Sequence, residues 1–322
     1  MLINDQFMIF SKIGNGSFGS VFKGIDIENQ EYIAAKIEDS SIPKKRLEKE
    51  SQIYTYISEN NKVMITPKLK WYGSNNQYNI LVLSRLGHSL EKVAKIANYQ
   101  LSLKTLLILT VKTLKILEII HDLNIIHQDI KPDNFAIGYQ NLKNNIFIFD
   151  FGLSKIFQSK LSNKNNSLIG TLRYASLRAH KGETLSYRDD LESLMYMLVY
   201  LYNGKLPWQN INFTDNENKE DKQQAIYELK KNINLAQLCQ SLPNEYQKII
   251  IYARNLPYEQ KPNYTLLQQM LSDLYKSLGY ELDDYNFEWI NWSPEKFIID
   301  KSSPKNKNRK MTEKKTLKSP LI

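Results

Sequence analysis

At 322 residues the chain is long for one domain and short for three. Its 42% hydrophobic, 24% charged and 11% aromatic composition suits a soluble globular protein with a large core. The 43 Lys and Arg against 34 Asp and Glu give +9, but residues 301–322 hold eight of the basic and one of the acidic residues, a net +7. The first 300 residues keep 35 basic and 33 acidic side chains, a net +2, which excludes a broadly basic body built for nucleic acid.

Residues 7 to 84 read mainly as strands. Alternation runs over Gly19–Lys23 and Tyr32–Ile37, turn residues fill Asp26–Gln30, and Asn79–Leu83 is an apolar strand. One helix interrupts them, Lys44–Ile57, with Leu47, Ile53 and Ile57 at helical spacing. From Ser89 onward helices dominate, predicted over Leu103–His121, Asp189–Tyr202, Lys222–Lys231, Pro243–Asn255 and Tyr264–Leu278. Short apolar runs at Phe135–Ile137 and Ile146–Phe149 flank the turn Gln140–Asn145 and predict a hairpin. The strand-rich first third and helical remainder predict an α+β fold of two lobes, 7–84 and 87–296, with a cleft between them.

A single cysteine, Cys239, forbids an internal disulfide and a cysteine metal cluster and fits a reducing compartment. The most apolar stretch, Leu101–Ile120, is broken by Lys104, Lys112, Lys115 and Glu118, which suits a helix buried on one face and would be costly in a bilayer. The N-terminus carries Asp5 and lacks a basic region followed by an apolar signal core. The expectation is a soluble monomer of the cytoplasm or nucleus with no transmembrane segment. Residues 300–322, rich in Lys, Asn, Ser and Pro, read as a disordered tail. Its basic charge suits nuclear import, acidic partners or weak membrane attraction, and it lacks the interleaved aromatics of a specific nucleic-acid binder. Ser303-Pro304 and Ser319-Pro320 read either as phosphosites or as turns.

The first chemical motif is Gly14-Asn15-Gly16-Ser17-Phe18-Gly19-Ser20-Val21. Glycines let backbone N–H groups approach phosphates without a Cβ in the way, although the pattern alone fits a hairpin turn equally well. Here it continues as a strand rather than a helix, which favours a lid over nucleotide phosphates. Lys36, 17 residues beyond Gly19, sits in the strand Ala34-Ala35-Lys36-Ile37, and Glu50 on the following helix is the carboxylate to orient it. Taken singly, both read as surface charges. The decisive segment is His127-Gln128-Asp129-Ile130-Lys131-Pro132-Asp133-Asn134, followed 16 residues later by Asp150-Phe151-Gly152. Phosphoryl transfer needs a carboxylate near the incoming hydroxyl, a cation on the γ-phosphate and oxygen ligands for Mg²⁺. Asp129, Lys131 and the pair Asn134 plus Asp150 supply those roles in order.

With these motifs the chain resembles the protein kinase superfamily and, more narrowly, the casein kinase 1 family. The narrower likeness rests on Leu86-Gly87-His88-Ser89-Leu90-Glu91, Asp150–Lys155, Gly170-Thr171-Leu172-Arg173-Tyr174-Ala175-Ser176, Tyr187–Leu194 and Leu206-Pro207-Trp208-Gln209, and the likeness spans roughly 7 to 292. The resemblance implies a Ser/Thr protein kinase using ATP and Mg²⁺. Ile13, Val21 and Ala34 would join the glycine loop around the nucleotide. Leu83 would be the gatekeeper behind the adenine, and Ser84 to Leu86 the hinge. Asp190 would steady the catalytic loop, and Thr171 would help place the substrate hydroxyl. Arg173 and Lys155 would meet acidic or phosphorylated residues of protein substrates; the bland reading makes them surface or structural ion pairs.

The sequence also departs from the family. Gln128 replaces the arginine before the catalytic aspartate, so activity is expected without phosphorylation of the activation segment. Lys92 stands where a ribose-binding carboxylate is common, and Ser176-Leu177-Arg178 stands near the place of the usual Ala-Pro-Glu. Gln128 and Lys92 motivate an alternative, a pseudokinase scaffold without efficient catalysis. The retention of Lys36, Glu50, Asp129, Asn134 and Asp150 argues against it.

Overall fold

The structure is a computed structural model and describes residues 1–16, 19–41, 46–74, 77–159, 167–209, 211, 218–280 and 287–292. Ser17 and Phe18 of the glycine motif, Lys160 and Lys164, and the tail 300–322 with its Ser-Pro pairs lie outside the described residues.

The N-terminal lobe is an antiparallel sheet of β1 (Leu2–Ile3), β2 (Phe7–Gly16), β3 (Gly19–Asp26), β4 (Glu31–Asp39), β5 (Leu69–Ser74) and β6 (Tyr78–Ser84), in the order β1-β2-β3-β4-β6-β5. The sheet thus starts ahead of Phe7, where the lobe was expected to begin. Ile3 pairs opposite Phe7 and is buried with it. Alternation along β4 sorts the side chains. Ile33 and Ala35 join Ile3, Phe7, Ile9, Ile80 and Val82 in one apolar cluster. Lys36 and Glu38, out of phase with those residues, belong to the opposite face, where α1 (Arg46–Asn60) supplies Leu47, Glu50, Ile53, Tyr54 and Ile57 as its buried positions. The predicted Lys44–Ile57 helix is therefore present with a later end.

In the helical lobe, α2 (Leu90–Ile96) follows an N-cap at Ser89 and had no strong sequence signal. The long α3 (Leu103–Asp122) starts at Ser102, whose hydroxyl accepts from the Thr105 N–H, and is buried along most of its length. The hairpin of β8 (Phe135–Ile137) and β9 (Ile146–Ile148) forms as expected. Two-residue strands β7 (Ile125–Ile126) and β10 (Lys155–Ile156) pair across the intervening chain from 127 to 154. After α4 (Leu177–His180) come α5 (Tyr187–Asn203), α6 (Lys219–Asn232), α7 (Leu235–Leu238), α8 (Asn244–Asn255) and α9 (Tyr264–Ser277). α5 is the core of the lobe: Leu191, Leu194, Met195, Tyr196, Met197, Leu198 and Val199 are wholly buried. It ends at Gly204, whose φ of 72° is the left-handed cap that glycine adopts without strain. No helix among the described residues is long and apolar enough to cross a membrane.

His180, at the end of α4, packs its ring against Tyr227 of α6, and both ring nitrogens are buried without a partner among the described residues. Burial, reinforced by nearby Lys230, pushes its pKa from 6.5 down to about 3. Between those values the unfolded chain binds the extra proton, so the stability this neutral imidazole contributes is present above pH 6.5 and lost toward pH 3. Thermal unfolding followed from pH 7 to pH 4 should show a falling Tm that is flatter in His180→Phe. An equal slope in both proteins would contradict this.

Candidate active site

Three segments bring charge together at the face of β4. Lys36 Nζ lies 2.8 Å from Glu50 Oε2 and 2.7 Å from Asp150 Oδ1. Burial disfavours the ammonium, but the two carboxylates outweigh it and hold Lys36 above its ordinary range. Asp150 is held below the usual carboxylate range, its burial being overcome by Lys36. Glu50 is the most enclosed of the three, and burial pushes it up to about 7 against the pull of Lys36.

The elements that carry these groups are fixed to one another. Glu38, two residues after Lys36 and therefore on its face of β4, accepts from the Leu47 N–H at the start of α1 and from Asn79 Nδ2. A strand residue thus satisfies one of the amides that a helix N-terminus leaves unpaired, three residues before Glu50. Asp150 adopts φ 66° and donates its N–H to Tyr54 Oη of α1 at 3.2 Å. The Phe151 ring packs edge-on against Tyr54 and tilted against His127.

Asp129 forms a second centre. Its Oδ2 accepts from Lys131 Nζ at 2.6 Å and its Oδ1 from the Thr171 hydroxyl at 2.7 Å, while Lys131 also reaches Thr171 Oγ1 at 3.2 Å. Asn134 donates its amide nitrogen to the Asp129 carbonyl at 2.8 Å and to Oδ2 at 3.3 Å. Those acceptors fix which way the amide faces, leaving Oδ1 as an oxygen ligand. The loop is held from below by Asp190 of α5, which accepts from the N–H groups of His127 and Gln128 and from His121 Nε2. Tyr264 Oη lies 2.6 Å from the other ring nitrogen of His121, so both nitrogens of the imidazole are engaged. Gln128 sits at φ 68° with its Nε2 buried and unpartnered among the described residues. Gly170, at φ 89°, comes so close to the Gln128 carbonyl oxygen that a Cβ there would collide with it.

The remaining predicted residues line the sheet side. Ile13 and Gly14 lie in β2 with Asn15 and Gly16, Gly19 and Val21 in β3, and Ala34 in β4 opposite both Leu83 and Lys23. A Cβ at Gly14 would meet nothing within 4 Å, so its neighbours in the fold do not require glycine there. Ser84 ends β6, its hydroxyl accepting from the Lys68 N–H, and Leu86 follows in the connection to α2. Lys155 lies in β10, apart from the Asp129 network, with its pKa lowered by burial. Arg173 holds its guanidinium 5.7 Å from the Tyr174 ring centre and 5.2 Å from that of Tyr200. Sequence patterns do not single out Glu38, Tyr54 or His121, although Glu38 has a signal in sharing the face of Lys36.

A model of the protein kinase domain matches residues 7–277. The chain belongs to this family. It is a protein kinase, an enzyme that uses ATP and a divalent metal and acts on protein substrates. The donor set fits those cofactors: a cation on β4 suits phosphate oxygens, while Asp150 and Asn134 Oδ1 are the hard oxygen ligands that a small divalent cation takes.

In this kinase, Glu50→Gln keeps the shape of the side chain but removes the charge that opposes Asp150 in holding Lys36. A loss in kcat/KM of about 10²-fold is expected, the size associated with one preorganised electrostatic contact. Steady-state transfer assays with the fold checked by circular dichroism measure it, and unchanged turnover would refute the role of the pair.

Proposed function

We propose that this kinase transfers the γ-phosphate of ATP, with Mg²⁺, to Ser and Thr hydroxyls of protein substrates, and that it is a casein kinase 1 family member preferring acidic or phosphorylated surroundings. The observation that carries the reading is the Asp129–Lys131–Thr171 triangle. Thr171 donates to Asp129 Oδ1 at 2.7 Å, so the carboxylate already accepts an aliphatic hydroxyl like that of a Ser or Thr substrate. Lys131 places a cation 2.6 Å from the same carboxylate, next to where negative charge must be stabilised.

The roles then follow. Bound ATP and metal supply the phosphoryl group and neutralise part of its charge. Lys36, oriented by Glu50, binds phosphate oxygens. Asp150 and Asn134 hold the metal, with Asn134 kept in register by Asp129. Asp129 orients the incoming hydroxyl and accepts its proton, and Lys131 stabilises the transferring group. Ile13, Val21, Ala34, Leu83 and the Ser84–Leu86 connection surround the base. Catalysis is chiefly placement and electrostatics. The formed Lys36–Glu50–Asp150 set supports an active enzyme over a pseudokinase.

Substrate preference is assigned to Arg173 and Lys155. Arg173 is immobilised over two tyrosine rings two residues from Thr171, a placement suited to a fixed anion contact. Lys155 is a partly desolvated ammonium that an anion would stabilise. We further propose that Gln128, which brings no cation, frees the enzyme from activation-segment phosphorylation, and that the basic tail directs it to the nucleus or to acidic partners.

Phosphate transfer from ATP to casein and to a peptide array tests the reading. Wild type should label Ser and Thr beside acidic residues, before and after phosphatase treatment. Asp129→Asn and Asp150→Asn should each lose at least about 10²-fold in kcat. Equal transfer by all three proteins would reject the mechanism. A preference for upstream basic residues would reject the substrate class, and silencing by phosphatase with the fold intact would reject the role of Gln128.

A further inference from the structure

Lys230 of α6 is 0% exposed, an expensive place for an ammonium, and burial pushes its pKa well below the ordinary lysine range. Its Nζ donates to the backbone carbonyls of Leu172 at 2.9 Å and Ala175 at 2.7 Å. It lies 5.3 Å from the Tyr196 ring centre and 5.1 Å from that of Trp208, within cation–π range of both. Its helix is tied down in turn, since Arg254 Nη2 donates to the Lys230 carbonyl at 2.9 Å. Arg254 also pairs with Glu192 at 3.3 Å, and Glu192 is wholly buried.

The two carbonyls belong to a turn that carries the substrate-facing residues. The Thr171 carbonyl accepts from the N–H groups of Tyr174 and Ala175, closing the turn locally. The Leu172 and Ala175 carbonyls go to Lys230, and the Arg173 carbonyl accepts from Trp208 Nε1 at 2.8 Å. Of the carbonyls from Thr171 to Ala175, those of Thr171, Leu172, Arg173 and Ala175 therefore each have a protein donor. Two of them depend on one side-chain nitrogen, delivered from 55 and 58 residues further along the chain. The turn holds Thr171 on Asp129 at one end and passes into Ser176 at the other, where the Ser176 hydroxyl donates to Asp189 at 2.7 Å.

We propose that Lys230 is a positioning residue for the Thr171–Ala175 turn, and so for recognition of the protein substrate. The chain lacks the Ala-Pro-Glu that usually closes this segment and brings no cation at Gln128. A buried lysine instead anchors the turn from below, holding Thr171 against Asp129 and Arg173 over Tyr200. The residues read as holding ATP lie in β2, β3, β4, β6, the connection after β6 and the Asp150 segment, whereas the Lys230 amine meets Leu172, Ala175, Tyr196 and Trp208. Its contribution is therefore specific to the protein substrate. The proposal rests on the reading of Thr171 and Arg173 as substrate-facing.

The test compares wild type, Lys230→Met and Lys230→Arg in full-length protein. It measures KM for ATP, kcat and KM for a casein-derived acidic peptide, and hydrogen exchange across 171–176. Lys230→Met, which keeps length but loses the N–H donors to Leu172 and Ala175, should lose at least tenfold in peptide kcat/KM and exchange faster in the turn. Its KM for ATP and its thermal shift with ATP and Mg²⁺ should stay within twofold of wild type. Lys230→Arg, with donors retained, should recover part of the loss. Unimpaired peptide transfer by Lys230→Met, parallel loss of ATP binding, or an Arg variant no better than Met would each overturn the proposal. Failure of both variants to fold would also overturn it, making Lys230 a determinant of the whole core. Wild type inactive on every peptide would instead sink the functional reading, so the two failures are distinguishable.

Discussion

The structure depends on keeping one lysine charged in a buried place. Lys36 is surrounded by protein, and only the simultaneous arrival of Glu50 from α1 and Asp150 from the segment after β9 makes its ammonium affordable. Removing either carboxylate leaves charge exposed to a low-dielectric setting, where unpaired ions cost several kcal/mol. The arrangement therefore has a structural role of its own. It makes β4, α1 and the Asp150 segment mutually dependent, because each supplies a charge that the others must balance.

The same logic is repeated with neutral donors in the helical lobe. Asp190 gathers N–H groups from His127, Gln128 and His121, so the catalytic loop is suspended from α5 by a single carboxylate. α5 is buried along most of its length, and through Asp190 it holds the two residues before Asp129 by their N–H groups. Gly170 lets the activation segment pass close above that loop, where any side chain would strike the Gln128 carbonyl. Asp129 stands on a loop hydrogen-bonded to a buried helix, while Thr171 and Arg173 stand on a turn tied down from several directions.

Much of this was legible in the sequence, because the chemistry demands particular residue types at short spacing. Asp129, Lys131 and Asn134 lie within six positions, and the strands and long helices announce themselves by period. What sequence concealed is whatever depends on partners far along the chain. β7 and β10 are two residues each and exist only because they meet. α2 is seven residues long, too short for a clear helical period. Lys230 reads as one more surface lysine of α6, and the one hint is that it stands four residues after buried Ile226, on the apolar face. Ion pairs and long-range caps have no local signature, which is why Glu38 and Tyr54 emerged only from the fold.

Glu38 carries a consequence for how the cleft can open. β4 grips α1 at two points, through Glu38 at the helix start and through Lys36 one turn later. A helix held at a single point can pivot by degrees. Held at two points by residues of one strand, it cannot pivot about either without straining the other, and losing the Leu47 contact would leave buried Glu38 with Asn79 as its remaining named donor. The helix is thus clamped to the strand as a latch is, by two separated contacts and not by one pivot.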